Sequence, residues 1–134
     1  MDNIRPNWNQ IHMKQAELIA TRSTCAKLKV GAVIVKDNRS ISQGYNGVGP
    51  GCRHCVDYWY DVYEFNKFIT DSVEDDIDEK NDYHDFGTFL KSQYFRTAHK
   101  TWCIQHELHA EQNCILWAAR EGISTKNTSL YTIY

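Results

Sequence analysis

The chain has 134 residues, 42% of them hydrophobic and 24% charged, with a formal net charge of −2. That length suits a single domain with one core, residues 1–134, and the charge argues against a broad basic surface for polynucleotides while leaving room for a small anionic ligand. No apolar run is long enough to span a bilayer, and Met1-Asp-Asn-Ile-Arg-Pro6 lacks a signal peptide's apolar core, so a cytoplasmic protein with no membrane contact is expected.

A first helix is expected from Trp8 to about Arg22, with Trp8, Ile11, Leu18 and Ile19 near helical spacing. Val30-Gly-Ala-Val-Ile-Val35 reads as a strand buried on both faces. Asp37-Asn38 makes a turn into a second strand, Ser40 to Tyr45, which opens into the Gly-rich loop Gly44-Tyr-Asn-Gly47. Residues 48–98 read as a loop-rich insertion, with an acidic run from Asp71 to Asp85 that suits a solvated, mobile surface. Helical pattern resumes near Phe89 and holds over Gln93 to His106. A further helix starts at His109 or Ala110, presents Ala110, Cys114, Trp117 and Ala118 on one face, and stops at Gly122. Ser129-Leu-Tyr-Thr-Ile-Tyr134 is a third strand, and strand, helix, strand in that order suggests a crossover in a layered α/β domain.

Five cysteines, Cys25, Cys52, Cys55, Cys103 and Cys114, make a poor disulfide framework in such a chain. Beside six histidines they read better as metal ligands or as small apolar fillers. His12, His54 and His84 carry no further motif, and Trp117 fits a core or interface as readily as a base-stacking position.

His109-Ala110-Glu111 places an imidazole and a carboxylate two residues apart at the start of a helix. Adding water to cytosine C4 needs a hydroxide at neutral pH, which zinc provides by lowering the pKa of bound water to about 7. A neighbouring carboxylate can then move protons to ring N3 and to the departing ammonia. Alone, His-x-Glu is also what an exposed first turn looks like.

It does not stand alone. Lys29-Val-Gly-Ala-Val-Ile34, Gly44-Tyr-Asn-Gly47, His109-Ala-Glu-Gln-Asn-Cys-Ile-Leu-Trp-Ala-Ala-Arg120 and Ser129-Leu-Tyr-Thr132 follow in order. Together they resemble the deoxycytidylate (dCMP) deaminases of bacteriophages and eukaryotes, within the zinc-dependent cytidine/deoxycytidylate deaminase family. The resemblance implies a three-layer α/β/α cytidine-deaminase-like sandwich with a central mixed sheet. It implies hydrolysis of dCMP to dUMP and ammonia in a cytoplasm, a host's if the gene is a phage's. In that family His109 stands where a catalytic zinc ligand does, Glu111 where the proton shuttle does, and Asn46 where an asparagine touches the sugar. Arg120 first and Lys29 second are candidates for the 5′-phosphate, each equally readable as a surface charge.

Cys25, Cys55, His99 and Glu107 match a structural Zn²⁺ site of some phage-type relatives, and would tie residues 48–98 to the core. A competing set uses Cys52-Arg-His54-Cys55 with His99, Cys103 or His106. The resemblance further implies a homo-oligomer, a hexamer in many relatives, with dCTP and dTTP effectors and Mg²⁺ accompanying a nucleotide triphosphate. Two departures stand out: Cys114 replaces the usual alanine, read as core packing, and no Pro-Cys-x-x-Cys follows the last strand. One histidine does not hold a catalytic zinc, so the C-terminal part of the sandwich is expected to lie outside these residues. Deamination of both dCMP and dCTP, and a zinc-stapled regulatory or assembly subunit without catalysis, are the competing functions; a tRNA deaminase fits the charge less well.

Overall fold

The computed structural model describes residues 4–72 and 83–134. Most of the acidic run expected to be a mobile surface lies outside the described residues. The elements are α1 (Trp8–Ala20), β1 (Gly31–Lys36), β2 (Arg39–Tyr45), β3 (Gly47–Val48), α2 (Cys55–Ser72), α3 (Phe86–Lys91), α4 (Gln93–His106), β4 (Glu107–Leu108), α5 (Ala110–Arg120) and β5 (Ser129–Ile133).

β1 is the centre of a three-stranded sheet in the order β2-β1-β5. Alternation along it sorts two cores. Val33 and Val35 face α1 at Ala16, with Tyr131 and Ile133 of β5 beside them. Ala32 and Ile34 face α5 at Ala110 and Cys114. A helix on each face gives the expected α/β/α layering. Both pairings of β1 are antiparallel, so the described strands contribute no parallel pair to the mixed sheet anticipated from the sequence; β2 and β5 run parallel to each other on either side of β1, and the chain between them makes the expected crossover with α5. The β1–β2 turn uses Asp37 and Asn38, both at positive φ (49° and 60°), which short Asx side chains tolerate.

The buried face of α1 is not the one the large apolar residues suggest. His12, Ala16 and Ala20 are buried, while Trp8 and Leu18 are 47% and 69% exposed. The reason is steric. A Cβ on Gly31 would stand 2.0 Å from the Ala16 carbonyl oxygen and 2.5 Å from the Ala20 nitrogen. Backbone therefore lies on backbone, and only small residues fit between. Gly44 does the same for α5, where a Cβ would meet the Ala110 carbonyl oxygen at 2.6 Å. On α5, Trp117 turns outward and only Ala110, Cys114 and Ala118 are buried; Gly122 ends the helix at φ 67° as expected.

Residues 55–72 are an 18-residue helix rather than loop. Cys55, Trp59 and Tyr63 recur every four residues and build a separate aromatic core with Phe89, Phe95 and Trp102. α3 and α4 start on oxygen caps, Asp85 and Ser92.

Gly31→Ala is expected to cost about 1–3 kcal/mol, because the new methyl group meets backbone atoms that cannot rotate away. Gly47→Ala, whose Cβ would find only Thr24 Oγ1 at 3.8 Å, is expected to stay within about 0.5 kcal/mol of wild type. Urea unfolding of both variants checks the contrast.

Candidate active site and metal cluster

Two sites emerge, joined by a short ladder. In β3 and β4, Gly47 pairs with Leu108 and Val48 with Glu107. Asn46 and His109 are the next positions on these two antiparallel segments, and Glu111 follows in the first turn of α5. The ladder therefore brings the Gly-rich loop to the head of the helix that carries His-x-Glu.

His109 is the N-cap residue of α5, with extended backbone (φ −68°, ψ 153°) and no capping bond from its side chain. Gln112 closes the turn instead, its Oε1 accepting from the His109 N–H at 2.9 Å. Glu111 is half-buried beneath β5. The Thr132 hydroxyl lies 3.2 Å from both Glu111 Oε1 and the Gly31 carbonyl oxygen, and one hydrogen serves the two. Thr132 drew no role from the sequence, although it sits inside one of the matching segments; β-strand alternation on β5 was the available signal. Cys114 is fully buried and donates its S–H to the Ala32 carbonyl at 3.1 Å. Burial pushes its thiol up to about 12, with the Glu111 charge second.

Asn46 is buried and pins the loop before β1: its Oδ1 accepts from the Val30 N–H, and its Nδ2 donates to the Leu28 carbonyl, both at 2.8 Å. A carboxamide carries two N–H groups, so one hydrogen is already committed to the fold. Lys29, exposed, sits on the loop that Asn46 holds. Arg120 is not brought to this place. It closes the opposite end of α5, nine residues past Glu111, which is about 14 Å along the axis. There its Cζ stacks 5.2 Å from the Trp117 ring and its Nε lies 3.6 Å from Glu121.

The second site is buried between α2, α4 and the loop after α1. Single ligand atoms from Cys25, Cys55, His99 and Glu107 lie within 4.8 Å of one another, the one such metal-type group among the described residues. The Sγ atoms of Cys25 and Cys55 are 3.6 and 3.3 Å from His99 Nε2. Zn–S near 2.3 Å and Zn–N near 2.0–2.1 Å at a tetrahedral angle require S···N separations of roughly 3.5 Å, so the donors fit zinc. Glu107 Oε1 is buried with no hydrogen-bond partner, an arrangement that a cation relieves. Burial raises the Glu107 carboxyl above the usual carboxylate range. The Cys25 thiol is driven far below its ordinary range by the neighbouring Cys103 first and Cys55 second. Those two are driven up by the same contacts and by burial.

The competing Cys-x-x-Cys set is not assembled. Cys52 is exposed, and His106 stacks on Trp102 with its Nδ1 2.8 Å from the Trp102 carbonyl. Cys103, however, does join the cluster. Its Sγ lies 3.3 Å from His99 and 3.1 Å from Glu107 Oε2. No such group surrounds His109: among the described residues it is not part of a set of three or more metal-type ligands. These residues alone therefore do not fit a catalytic zinc.

Residues 6–134 match the family model described as the cytidine and deoxycytidylate deaminase zinc-binding region. The chain belongs to this family of zinc-binding deaminases. Within it, the chain is 37% identical over 117 residues to a deoxycytidylate deaminase of Enterobacteria phage T4, covering 87% of this chain and 61% of the relative. A deoxycytidylate deaminase of Saccharomyces cerevisiae is 33% identical over 128 residues, covering 96% of this chain and 31% of the relative. The chain thus spans about three fifths of the phage relative's length. A crystal structure of dCMP deaminase from cyanophage S-TIM5, in complex with dCMP and dUMP, shares the fold with TM-score 0.56 and 22% identity, covering 97% of this chain and 67% of that one. Among the described residues, no helix is long and apolar enough to cross a membrane.

A water-soluble maleimide is expected to modify Cys52 rapidly in the folded protein and to leave Cys114 untouched until denaturation. Peptide mapping after a short labelling pulse reads both, and early modification of Cys114 would show that α5 does not rest on β1 as described.

Proposed function

We propose that the complete protein hydrolyses dCMP to dUMP and ammonia, and that these residues supply its proton shuttle, one catalytic metal ligand and its sugar-facing loop. One observation carries this reading: Glu111 stands in the first turn of α5, two residues after His109, and is steadied by Thr132 across the sheet. Family membership and the named relatives support it. His109 is the metal ligand contributed here, with other donors required beyond those described. Zinc bound there supplies a Lewis acid that lowers the pKa of water to about 7. Glu111 would take a proton from the attacking water and deliver it to ring N3, then take the remaining proton from the new C4 hydroxyl and pass it to the amine, so that the C4–N bond breaks, ammonia leaves and the C4 carbonyl forms. The helix N-terminus favours negative charge developing there. Asn46 meets the sugar through the amide hydrogen not given to Leu28, and Lys29 meets the 5′-phosphate. Arg120 has no part, given its distance along α5.

Glu111→Gln keeps the shape and removes the proton carrier. Turnover of dCMP, followed as ammonia release, is expected to fall by about 10²–10⁴-fold with zinc content unchanged. Turnover within a few-fold of wild type would remove Glu111 from the mechanism, and no ammonia from dCMP, dCTP or cytidine in wild type would end the enzymatic reading. In that case the fully gathered second cluster, set against a lone His109, favours the zinc-stapled assembly subunit.

We infer that the second cluster is a structural zinc site formed by Cys25, Cys55, His99 and Glu107. Geometric fit and the orphaned Glu107 oxygen support it. A metal that holds ligands from three separated segments contributes directly to folding. Cys25→Ser and Cys55→Ser are each expected to lose one zinc per chain and to melt earlier, whereas Cys52→Ser is expected to match wild type in both. Metal analysis with thermal melting checks this, and an unchanged zinc content in the first two variants would refute the assignment.

A further inference from the structure

We propose that Cys103 is a positioning residue for the second zinc: its thiol holds one oxygen of Glu107 so that the other, Oε1, is presented to the metal. This rests on reading Cys25, Cys55, His99 and Glu107 as the ligands.

His99, Cys103 and Glu107 follow one another at four-residue spacing along α4 and its C-cap, so they share a face. The Cys103 thiol donates to Glu107 Oε2 at 3.1 Å. Oε1 of the same carboxylate is buried and has no partner. A carboxylate with one oxygen held by a donor and the other bare is set to bind through a single atom. That keeps a Cys₂-His-carboxylate site at four donors, the number structural zinc sites favour. Left free, the carboxylate can rotate away or offer both oxygens.

Cys103 is not itself a ligand in this arrangement. Its Sγ is 3.3 Å from both Nδ1 and Nε2 of His99, which places it against the ring rather than ahead of Nε2. A sulfur sharing a metal with Nε2 would lie near 3.5 Å from that nitrogen but roughly 5 Å from Nδ1. The sulfur thus packs against one ligand while bonding a second, the task of groups that orient metal ligands. Their loss typically costs about 10–100-fold in metal affinity.

The test compares wild type, Cys103→Ala and Cys103→Ser in the complete protein. Zinc affinity is read by competition with a chromophoric chelator. The donor set is read by cadmium NMR, with the second-site resonance assigned by its loss in Cys25→Ser. Cys103→Ser is expected to hold zinc within a few-fold of wild type, because a hydroxyl donates the same bond. Cys103→Ala is expected to bind about 10–100-fold more weakly, with the cadmium shift in all three proteins remaining that of two sulfur ligands. Wild-type affinity in Cys103→Ala overturns the inference alone, as does equal weakening in both variants. A cadmium shift of three sulfurs in wild type overturns it by making Cys103 a ligand. A wild-type protein with no second zinc overturns the parent site and this inference together.

Discussion

Four polar side chains share a buried space, and the structure is organised around what that demands. Burying thiols, an imidazole and a carboxylate together is costly unless each finds a partner. The partners come from position 25, position 55 and the single stretch 99–107, which chain order alone would leave far apart. Bringing them together fixes the loop after α1, starts α2 at Cys55, orients α4 and sets where β4 begins. Glu107 ends this cluster and Leu108 pairs with Gly47, so the same constraint decides where His109 and Glu111 stand. The buried cluster and the His-x-Glu turn are two residues apart in the chain and are mechanically the same object.

The sheet works by a different economy. Its helices approach through glycine, not through large apolar contacts. Gly31 receives α1 and Gly44 receives α5, so each helix lies with backbone against strand. Close approach puts the first turn of α5 within reach of Thr132 on β5. A larger side chain at Gly44 would lift α5 and draw Glu111 away from Thr132.

What could be read from the sequence follows from which signals are local. The β-branched run at 30–35 and the Asp37-Asn38 turn declare β1 and its hairpin through periodicity and φ preference. α4 and α5 are similarly plain, with Gly122 marking a stop. His109 and Glu111 stood out as candidates because a His-x-Glu pair at a helix start is a local pattern. α2 was not, since Trp59 and Tyr63 are buried only when Phe95 and Trp102 arrive from α4. The face of α1 misled because Ile11 and Leu18 outweigh Ala16 and Ala20 in any hydrophobic pattern, while the deciding contact is with a glycine elsewhere. Three of the four cluster residues are isolated in sequence, and only resemblance linked them. Cys103 entered only through the competing set, and Arg120 looked suitable by charge although helix length separates it from Glu111.

α1, α3 and α4 begin on Asn7, Asp85 and Ser92, oxygen-bearing residues that accept from the first-turn amides. α5 begins on an imidazole that caps nothing, with Gln112 reaching back in partial compensation. An oxygen cap in its place is worth roughly 0.5–2 kcal/mol to a helix. On the function proposed above, position 109 is a point where selection for chemistry and selection for robustness pull in opposite directions. A library screened for heat resistance would drift toward Asp, Ser or Asn there, while one screened for growth that depends on the deamination proposed above would hold histidine. Divergent outcomes at a single site would separate, by population genetics alone, the residue kept for what it does from those kept for how they pack.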